Sequence, residues 1–258
     1  MALIIPTMAE LAAKGEKPEI LFWVGCAASF DDRARKIAQA FVRILNAANV
    51  KFAILGNEER CTGDPARRAG NEFVFQMAAL QNIELLNNYG IERIVTLCPH
   101  CYNTFKNEYP DLGGNYEVWH AVDYALKLIE EGRLKIKKLK EIVTLHDPCY
   151  LGRINDKVEE PRKLLAAIGL TLREMPRHGK RSFCCGAGGA QIFKEEEPGK
   201  EPVYRERARE ALDTGAKTIV TACPFCMIMM RDGVRDLAEG QAEVKDIIEL
   251  LSEGLEDS

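Results

Sequence analysis

Nine cysteines are the residues of this sequence best suited to chemistry, because a thiolate can act as a nucleophile, a redox group or a metal ligand. They fall into two groups along the 258-residue chain. The first group contains Cys26, Cys61, Cys98 and Cys101, and the second contains Cys149, Cys184, Cys185, Cys223 and Cys226. Isolated cysteines are usually buried apolar residues, but the spacing within these two groups argues against that interpretation.

The two groups are copies of one pattern. An offset of 123 residues superposes the first two cysteines of each group, and an offset of 125 superposes the two Cys-Pro-x-Cys motifs, Cys98–Cys101 and Cys223–Cys226. Self-similarity at a fixed offset indicates an internal repeat. The sequence therefore predicts two tandem halves, residues 1–135 with four cysteines and residues 136–258 with five.

The spacing of the cysteines favours one kind of metal site over others. Disulfide frameworks belong to small secreted domains, and an odd number of cysteines cannot pair completely. Zinc sites join two short pairs about 15–20 residues apart, and a thioredoxin-like redox pair would leave the distant single cysteines without a role. An iron–sulfur cluster uses four thiolates, which accounts for the first group and leaves one extra thiol in the second, either a fifth ligand or an unused thiol in a Gly-rich turn. We therefore expect one cluster per group, with a zinc-stabilised scaffold as the weaker alternative.

The elements that must position these cysteines alternate between short apolar strands and amphipathic helices. Strands are predicted at Ile20–Val24, Lys51–Leu55, Arg93–Leu97, Tyr116–Trp119, Ile142–Leu145, Thr171–Glu174, Lys217–Thr221 and Glu243–Lys245. Helices are predicted at Arg33–Ala48, Arg67–Tyr89, Tyr102–Glu108, Val122–Glu131, Pro161–Ile168, Val203–Thr214, Phe225–Leu237 and Asp246–Leu251. This alternation predicts an α/β fold of two pseudo-symmetric halves with mostly parallel sheets. The cluster sites then lie in loops at the carboxyl ends of the strands, where open parallel sheets build their sites.

Composition excludes several other classes of protein. A formal net charge of −4 argues against a nucleic-acid-binding surface. No apolar run approaches the roughly 18 residues that span a bilayer, so we expect no direct membrane insertion. The segment Met1–Lys14 lacks the features of a secretory signal. We therefore expect a cytoplasmic location.

The motifs around the cysteines resemble a known family. The segments that carry the resemblance are Asn57–Arg68, His146–Arg153, Phe183–Gly189 and Cys223–Cys226. They are similar to the cysteine-rich CCG domains of heterodisulfide-reductase-related iron–sulfur proteins. The members most similar are the B-type subunit of heterodisulfide reductase and the cluster domain of electron-transfer-flavoprotein:quinone reductases. The resemblance covers nearly the whole chain.

The resemblance implies cofactors, catalytic residues and partners. A complete motif in this family holds a non-cubane 4Fe–4S cluster, and paired clusters reduce a disulfide by capturing its sulfurs on iron. The resemblance assigns the non-cubane cluster of this chain to Cys149, Cys184, Cys185, Cys223 and Cys226, with Cys184 and Cys185 as the catalytic residues. The first half has Thr62 where the second has Cys185, so its four thiolates would hold a 4Fe–4S cluster of a type that the resemblance leaves open. The implied partners are flavoprotein and ferredoxin-type subunits and a thiol or disulfide substrate.

Two classes of function remain open from the sequence. The chain could be an oxidoreductase subunit in which the five-cysteine cluster makes or breaks a sulfur–sulfur bond, or an electron-transfer module without a substrate of its own. The asymmetry between the halves favours a reactive second cluster and a first cluster that relays electrons. His146 and Asp147 could donate hydrogen bonds to sulfur, shuttle protons or only hold their loop, and His100 is expected to be an exposed loop residue.

Overall fold

The computed structural model describes residues 3–195 and 198–256. Contacts divide the chain into two compact units, one extending to Lys135 and one from Ile136 to Glu256. Each unit has its own four-stranded sheet, in which the paired strands are parallel. The predicted α/β fold with two similar halves is therefore confirmed.

The first unit orders its strands β2-β1-β3-β4. The strands are β1 (Ile20–Trp23), β2 (Phe52–Ala53), β3 (Arg93–Thr96) and β4 (Glu117–His120). The α-helices are α1 (Met8–Ala13), α2 (Cys26–Phe30), α3 (Asp32–Ala47), α4 (Asp64–Arg68), α5 (Glu72–Asn88), α6 (Pro99–Asn103) and α7 (Ala121–Glu130). Helix α6 continues into a π-helical turn, Thr104–Glu108, and short 3-10 turns lie at Gly56–Glu58 and Tyr109–Leu112.

The second unit repeats this order as β6-β5-β7-β8. The strands are β5 (Ile142–Leu145), β6 (Thr171–Leu172), β7 (Thr218–Thr221) and β8 (Glu243–Asp246). The α-helices are α8 (Glu159–Ala167), α9 (Val203–Leu212), α10 (Pro224–Ala238) and α11 (Ile247–Glu253). A π-helical turn covers Tyr150–Ile154, and 3-10 turns lie at Gly179–Arg181 and Gln191–Phe193.

The central strands are apolar because the residues on both of their faces are buried. All four residues of β1 are buried, as are all four of β7, which is the pattern of a strand inside a parallel sheet rather than of a half-solvated one. Helix α3 turns a buried stripe toward its sheet, including Ile37, Phe41 and Ile44, at the spacing of an amphipathic helix. The buried core of the first unit thus fixes where its two central strands end.

The strand order reverses at one point in each sheet. The chain leaves β1 for β2 on one side and then crosses to β3 on the other side. Ligand crevices of open parallel sheets form at the carboxyl ends of the strands beside such a reversal. The same reversal lies between β5 and β7. The strands beside the two reversals are β1, β3, β5 and β7. A cysteine follows each of them within a few residues: Cys26, Cys98, Cys149 and Cys223. The topology therefore places these cysteines where a crevice opens.

The structure differs from the sequence prediction mainly in the helices of the first unit. The single helix predicted over Arg67–Tyr89 is wrong, because α4 and α5 are separated at Gly70. This glycine has a φ of +84°, and Asn71 caps α5 by accepting a hydrogen bond from the Val74 N–H. A glycine between two helical patterns can be tolerated within a helix or can end it, and here it ends α4. All eight predicted strands are confirmed to within three residues at each end.

No helix in the described ranges, 3–195 and 198–256, is long and apolar enough to cross a bilayer.

Candidate metal centres

The four cysteines of the first unit come together at the carboxyl ends of β1 and β3. Cys26 begins α2, Cys98 caps α6, and Cys101 lies in the first turn of that helix. Cys61 reaches the same place from the loop before α4. The thiols of Cys26 and Cys61 hydrogen-bond each other, as do those of Cys98 and Cys101, and Cys101 interacts electrostatically with the other three. The fold therefore gathers all four predicted ligands of the first group.

A glycine keeps the space in front of these thiols open. Gly25 has a φ of +80°, which side chains rarely adopt. A Cβ atom at this position would lie 3.6 Å from the Cys101 Sγ and would fill part of the space beside it. The backbone of the Cys26 loop can therefore approach the sulfur atoms closely only because this residue is a glycine.

One carboxylate ties the Cys61 loop to the Cys26 loop. Glu59 accepts hydrogen bonds from the backbone N–H groups of Val24 at 2.9 Å and of Gly25 at 2.6 Å. Burial raises the pKa of Glu59 to about 7, and the two N–H donors oppose that increase. The bond to Gly25 holds the residue immediately before Cys26, and Glu59 lies two residues before Cys61, so this carboxylate fixes the two cysteine loops relative to each other.

The five cysteines of the second unit gather in the same way. Cys149 follows β5, Cys223 caps α10, and Cys226 lies in the first turn of that helix. Cys184 and Cys185 lie in the loop between β6 and α9. The Cys185 and Cys226 Sγ atoms are 3.4 Å apart, and the Cys184 thiol hydrogen-bonds with those of Cys149 and Cys185. The second unit therefore presents one more sulfur atom than the first.

The difference between the units lies at one equivalent position. Thr62 is buried in the first unit, and its Oγ1 lies 3.9 Å from the Cys101 Sγ. Cys185 stands at the offset position in the second unit and faces Cys226 across 3.4 Å. Thr62 and Cys185, which the 123-residue offset aligns in sequence, therefore also lie at equivalent places in the two units. The threonine hydroxyl stands where the second unit has its fifth thiol.

The second unit ties its two cysteine loops by a different contact. Pro148 stands where the first unit has Gly25, and proline has no N–H to donate to a carboxylate. Ser182, at the offset position of Glu59, instead donates its hydroxyl to the Asp147 carbonyl at 3.0 Å. The side chain at this position therefore accepts backbone hydrogen bonds in the first unit and donates one to the backbone in the second.

Hydrogen bonds favour the thiolate form of one cysteine in each group. The pKa of Cys61 and that of Cys184 are both lowered, first because each accepts a hydrogen bond from the first cysteine of its group. Each also accepts a hydrogen bond from the backbone N–H two residues later, at 3.4 Å in the first unit and 3.3 Å in the second. A deprotonated thiol is the form that ligates metals.

The expectation that His100 is exposed is wrong. Its side chain is buried, and its Nδ1 lies 2.9 Å from the Asp64 Oδ2. Burial lowers the pKa of His100, but the hydrogen bond to Asp64 and the negative charges of Cys98 and Asp64 together raise it. Arg68 pairs with the second oxygen of Asp64 at 3.0 Å. This network joins α4 to α6, and the sequence alone does not indicate that these short helices meet.

His146 approaches the second group from the end of β5. It is buried, and a ring nitrogen lies within 4.8 Å of the Sγ atoms of Cys185 and Cys226. Its Nδ1 accepts a hydrogen bond from the Arg207 Nε–H at 2.9 Å. Burial and then the charge of Arg207 lower the pKa of His146 to about 3. Sequence reasoning singled out His146 but missed Arg207, which lies 61 residues away on α9.

Asn82 and Tyr109 support the first group and were also missed. The Asn82 amide donates to the Cys61 carbonyl and to the Tyr109 hydroxyl, each at 3.0 Å. The Tyr109 hydroxyl in turn donates to the Thr62 carbonyl at 3.1 Å. Both side chains hold the backbone of the Cys61 loop. An asparagine within an amphipathic helix carries no sequence signal for such a role.

Cavities open beside both groups. A cavity of about 750 Å³ in the first unit is lined by Cys26 and Cys61 and by apolar residues including Phe22 and Val42. A cavity of about 650 Å³ in the second unit is lined by Gly186, next to Cys185, and by residues of α9 and α10. Cys61 is exposed, whereas Cys184 is half-buried and Cys185 is buried. Small molecules can therefore reach Cys26 and Cys61 of the first group, whereas the second cavity reaches only Gly186, the residue after Cys185.

These donor sets fit iron–sulfur clusters. The nine cysteines are free thiols, and the fold brings them together as four and five sulfur atoms at equivalent sheet positions. Cysteine thiolates are the usual ligands of such clusters, in sets of four. Tetrahedral zinc also takes four ligands, so the fifth sulfur of the second group exceeds what either a zinc ion or a four-thiolate cluster requires.

Comparisons with known proteins agree with this chemistry. The cysteine-rich domain family CCG matches the chain twice, over residues 20–106 and 143–231. The chain is 44% identical over 254 residues to the probable iron–sulfur-binding oxidoreductase FadF of Bacillus subtilis, covering 97% of this chain and 36% of that protein. It is 44% identical to the EtfAB:quinone oxidoreductase of Syntrophomonas wolfei, covering 95% of this chain and 36% of that protein.

A third relative belongs to a heterodisulfide reductase. This protein, one of the subunits of the dihydromethanophenazine:CoB–CoM heterodisulfide reductase of Methanosarcina barkeri, is 36% identical over 249 residues, which cover 93% of this chain and 60% of that protein. The chain thus spans little more than a third of the length of the first two relatives and less than two thirds of the third. Since the family matches both units and includes every one of the nine cysteines, the chain belongs to the CCG family of cysteine-rich domain proteins.

Proposed function

We propose that this chain is the iron–sulfur subunit of a heterodisulfide-reductase-like complex. It carries out thiol or disulfide redox chemistry at a non-cubane 4Fe–4S cluster held by Cys149, Cys184, Cys185, Cys223 and Cys226. The observation that carries this proposal is the fifth thiol: Cys185 faces Cys226, while the first unit places Thr62 at the equivalent position. When bound, such a cluster supplies the electrons that cleave a sulfur–sulfur bond.

The residues of the second unit suit a reactive site. Cys184 and Cys185 are the catalytic pair in this proposal, because they adjoin Gly186, which lines the 650 Å³ cavity. Lys194 also lines that cavity, together with the carboxylates of Glu201 and Asp232, and offers a cation to an anionic thiol substrate. Gly186 has a φ of +94°, which allows the backbone after the two cysteines to turn away from the sulfurs.

The first unit acts as an electron relay in this proposal. Cys26, Cys61, Cys98 and Cys101 hold a 4Fe–4S cluster whose type is open, and the buried Thr62 leaves that set without a fifth thiol. The names of the relatives support a flavoprotein partner and the subunits of a heterodisulfide reductase, and a ferredoxin-type subunit would complete the electron path. We place this assembly in the cytoplasm.

An electron-transfer module without its own substrate is the second candidate. It is favoured by the exposure of Cys61 and by the 750 Å³ cavity beside Cys26 and Cys61. A cluster near the surface exchanges electrons readily with a docked carrier. In this case the opening beside the second group would bind no thiol.

Metal analysis tests the cofactor. Protein purified without oxygen should contain about eight iron and about eight acid-labile sulfide per chain if each group holds one four-iron cluster. Replacing Cys185 by Thr should change the EPR spectrum of the second group but retain its iron, because four thiolates remain. Stoichiometric zinc without labile sulfide would refute the iron–sulfur proposal.

A thiol probe tests the division of roles. A thiol substrate analogue added under mild oxidation should perturb only the EPR signal of the second group. Cys226→Ser should abolish that response, while Cys101→Ser should preserve it. A response that survives Cys226→Ser and disappears with Cys101→Ser would assign the reactive site to the first unit. No response in any form would favour the electron-transfer module.

A further inference from the structure

We propose that His146 is a hydrogen-bond donor to the sulfur atoms of the second cysteine group, and that Arg207 imposes this role by fixing the position of the imidazole proton. The inference rests on the proposed cluster site, and it concerns which atoms surround that site rather than which substrate it takes. His146 could otherwise serve as a metal ligand beside Cys185 and Cys226, whose sulfur atoms lie within 4.8 Å of its ring.

The hydrogen bond from Arg207 decides between these roles. A guanidinium Nε–H is always a donor, and it lies 2.9 Å from the His146 Nδ1. The Nδ1 must therefore offer its lone pair. In a neutral imidazole the proton then sits on Nε2, which has no lone pair left in the ring plane for a metal. His146 is thus excluded as a ligand through Nε2 and becomes an N–H donor.

The arginine cannot turn away from this contact. Arg207 is fully buried, and its Nη1 donates to the Glu210 Oε2 at 2.8 Å and to the Arg177 carbonyl at 2.9 Å. Its Nη2 donates to the Ser182 hydroxyl at 3.3 Å. Every nitrogen of the guanidinium has a fixed acceptor, so the Nε–H remains directed at His146. Arg207 is a positioning residue that acts through the histidine.

The Nε2 of His146 needs an acceptor that the described part of the chain does not otherwise provide. It is buried and has no hydrogen-bond partner among residues 3–195 and 198–256. A buried unsatisfied N–H is costly. A ring nitrogen of His146 lies within 4.8 Å of the Cys185 and Cys226 Sγ atoms, which is too long for a hydrogen bond to these thiols but near enough for a sulfur of a bound cluster to accept one. The position three residues before the first cysteine repeats this feature in the other unit, where Trp23 has a buried indole N–H without a partner in the same described ranges.

Such a donor changes the redox properties of the site. Reduction adds negative charge to the cluster sulfurs, and an N–H donor stabilises that charge. Removal of the donor should therefore lower the reduction potential of the second cluster. We expect the equilibrium between oxidised and reduced cluster to shift about tenfold, which is about 59 mV for a one-electron couple.

The test is an EPR-monitored redox titration of the anaerobically purified protein. His146→Phe removes the donor, whereas His146→Gln keeps an amide N–H near the Nε2 position and should restore most of the potential. His178→Gln is the matched control, because that histidine is exposed and its Nδ1 contacts the Met175 carbonyl at 2.7 Å. An unchanged potential in His146→Phe with full iron content would refute the donor role.

Two further outcomes separate this inference from the proposed function. A wild-type protein without iron and sulfide would refute the cluster site and the donor role together, whereas full iron with no shift would refute the donor role alone. If His146→Phe does not fold, ¹⁵N NMR of the anaerobically purified wild-type protein decides the question. The four histidines give four ring systems. The His146 ring should carry its proton on Nε2, and a proton on Nδ1 would refute the inference.

Discussion

Replacing Glu59 by Ala should destabilise the first unit more than the same replacement of the neighbouring Glu58. The change leaves the N–H groups of Val24 and Gly25 without the acceptor they have at 2.9 and 2.6 Å. An orphaned buried donor costs about 1–3 kcal/mol. Since Glu59 is only half-buried, water can replace part of each bond, and we expect about 2–4 kcal/mol in total.

The two tryptophans make this effect measurable in one unit. Trp23 and Trp119 both lie in the first unit, so their fluorescence reports its unfolding. With a urea m-value of about 2 kcal/mol/M, the middle of the usual range, the expected loss lowers the fluorescence midpoint by about 1–2 M. The measurement is best made on reduced protein before iron is added, because metal binding would otherwise contribute to stability.

Glu58→Ala is the matched control for this prediction. Glu58 precedes Glu59 and accepts a single hydrogen bond, from the Tyr89 hydroxyl at 2.7 Å. Its removal should cost under about 1 kcal/mol, because the hydroxyl can turn to water. Equal midpoints for Glu58→Ala and Glu59→Ala would refute the reasoning. They would show that the two N–H donors are solvated as easily as a surface hydroxyl.

Three further predictions concern the first unit. Thr62→Cys adds the missing fifth thiol, and the EPR spectrum of the first group should then approach that of the second without additional iron. Gly63→Ala should lower the free energy of unfolding by about 1–3 kcal/mol more than Gly70→Ala, as measured by the same urea titration. Both glycines have a positive φ. A Cβ at Gly63 would lie 3.0 Å from Phe75, whereas no described atom would lie within 4 Å of a Cβ at Gly70. Asn82→Ala should cost about 1–3 kcal/mol and slow iron uptake by the first group, and unchanged uptake would show that its two bonds do not order the ligand loop.

The sequence predicted the positions of the cysteines because their placement depends on features that are local. Each short apolar run ends shortly before Cys26, Cys98, Cys149 or Cys223, and the carboxyl ends of parallel strands meet at one edge. The fixed offset between the copies then implied that the remaining cysteines join the same edges. Strand existence and repeat symmetry were therefore sufficient for the architecture.

The contacts that support the cysteines could not be predicted in the same way. Arg207 and His146 are 61 residues apart, and a lone arginine on a helix resembles any solvated charge. Glu59 and Ser182 occupy equivalent positions but bond through opposite polarities, so comparison of the two halves obscures their shared role. The interruption at Gly70 was missed because the helical pattern continues on both sides of it.

The close approach of the free thiols has a consequence for handling the protein in air. Cys185 and Cys226 already have sulfur atoms 3.4 Å apart, and each group contains further thiols in hydrogen-bond contact. Oxidation of the metal-free chain can therefore convert the four thiols of the first unit into two disulfides. The five thiols of the second unit can form two disulfides and leave one thiol unpaired. Pairing along these contacts would seal both sites covalently in air and leave Cys223, which is buried, as the thiol of the second unit that forms no disulfide.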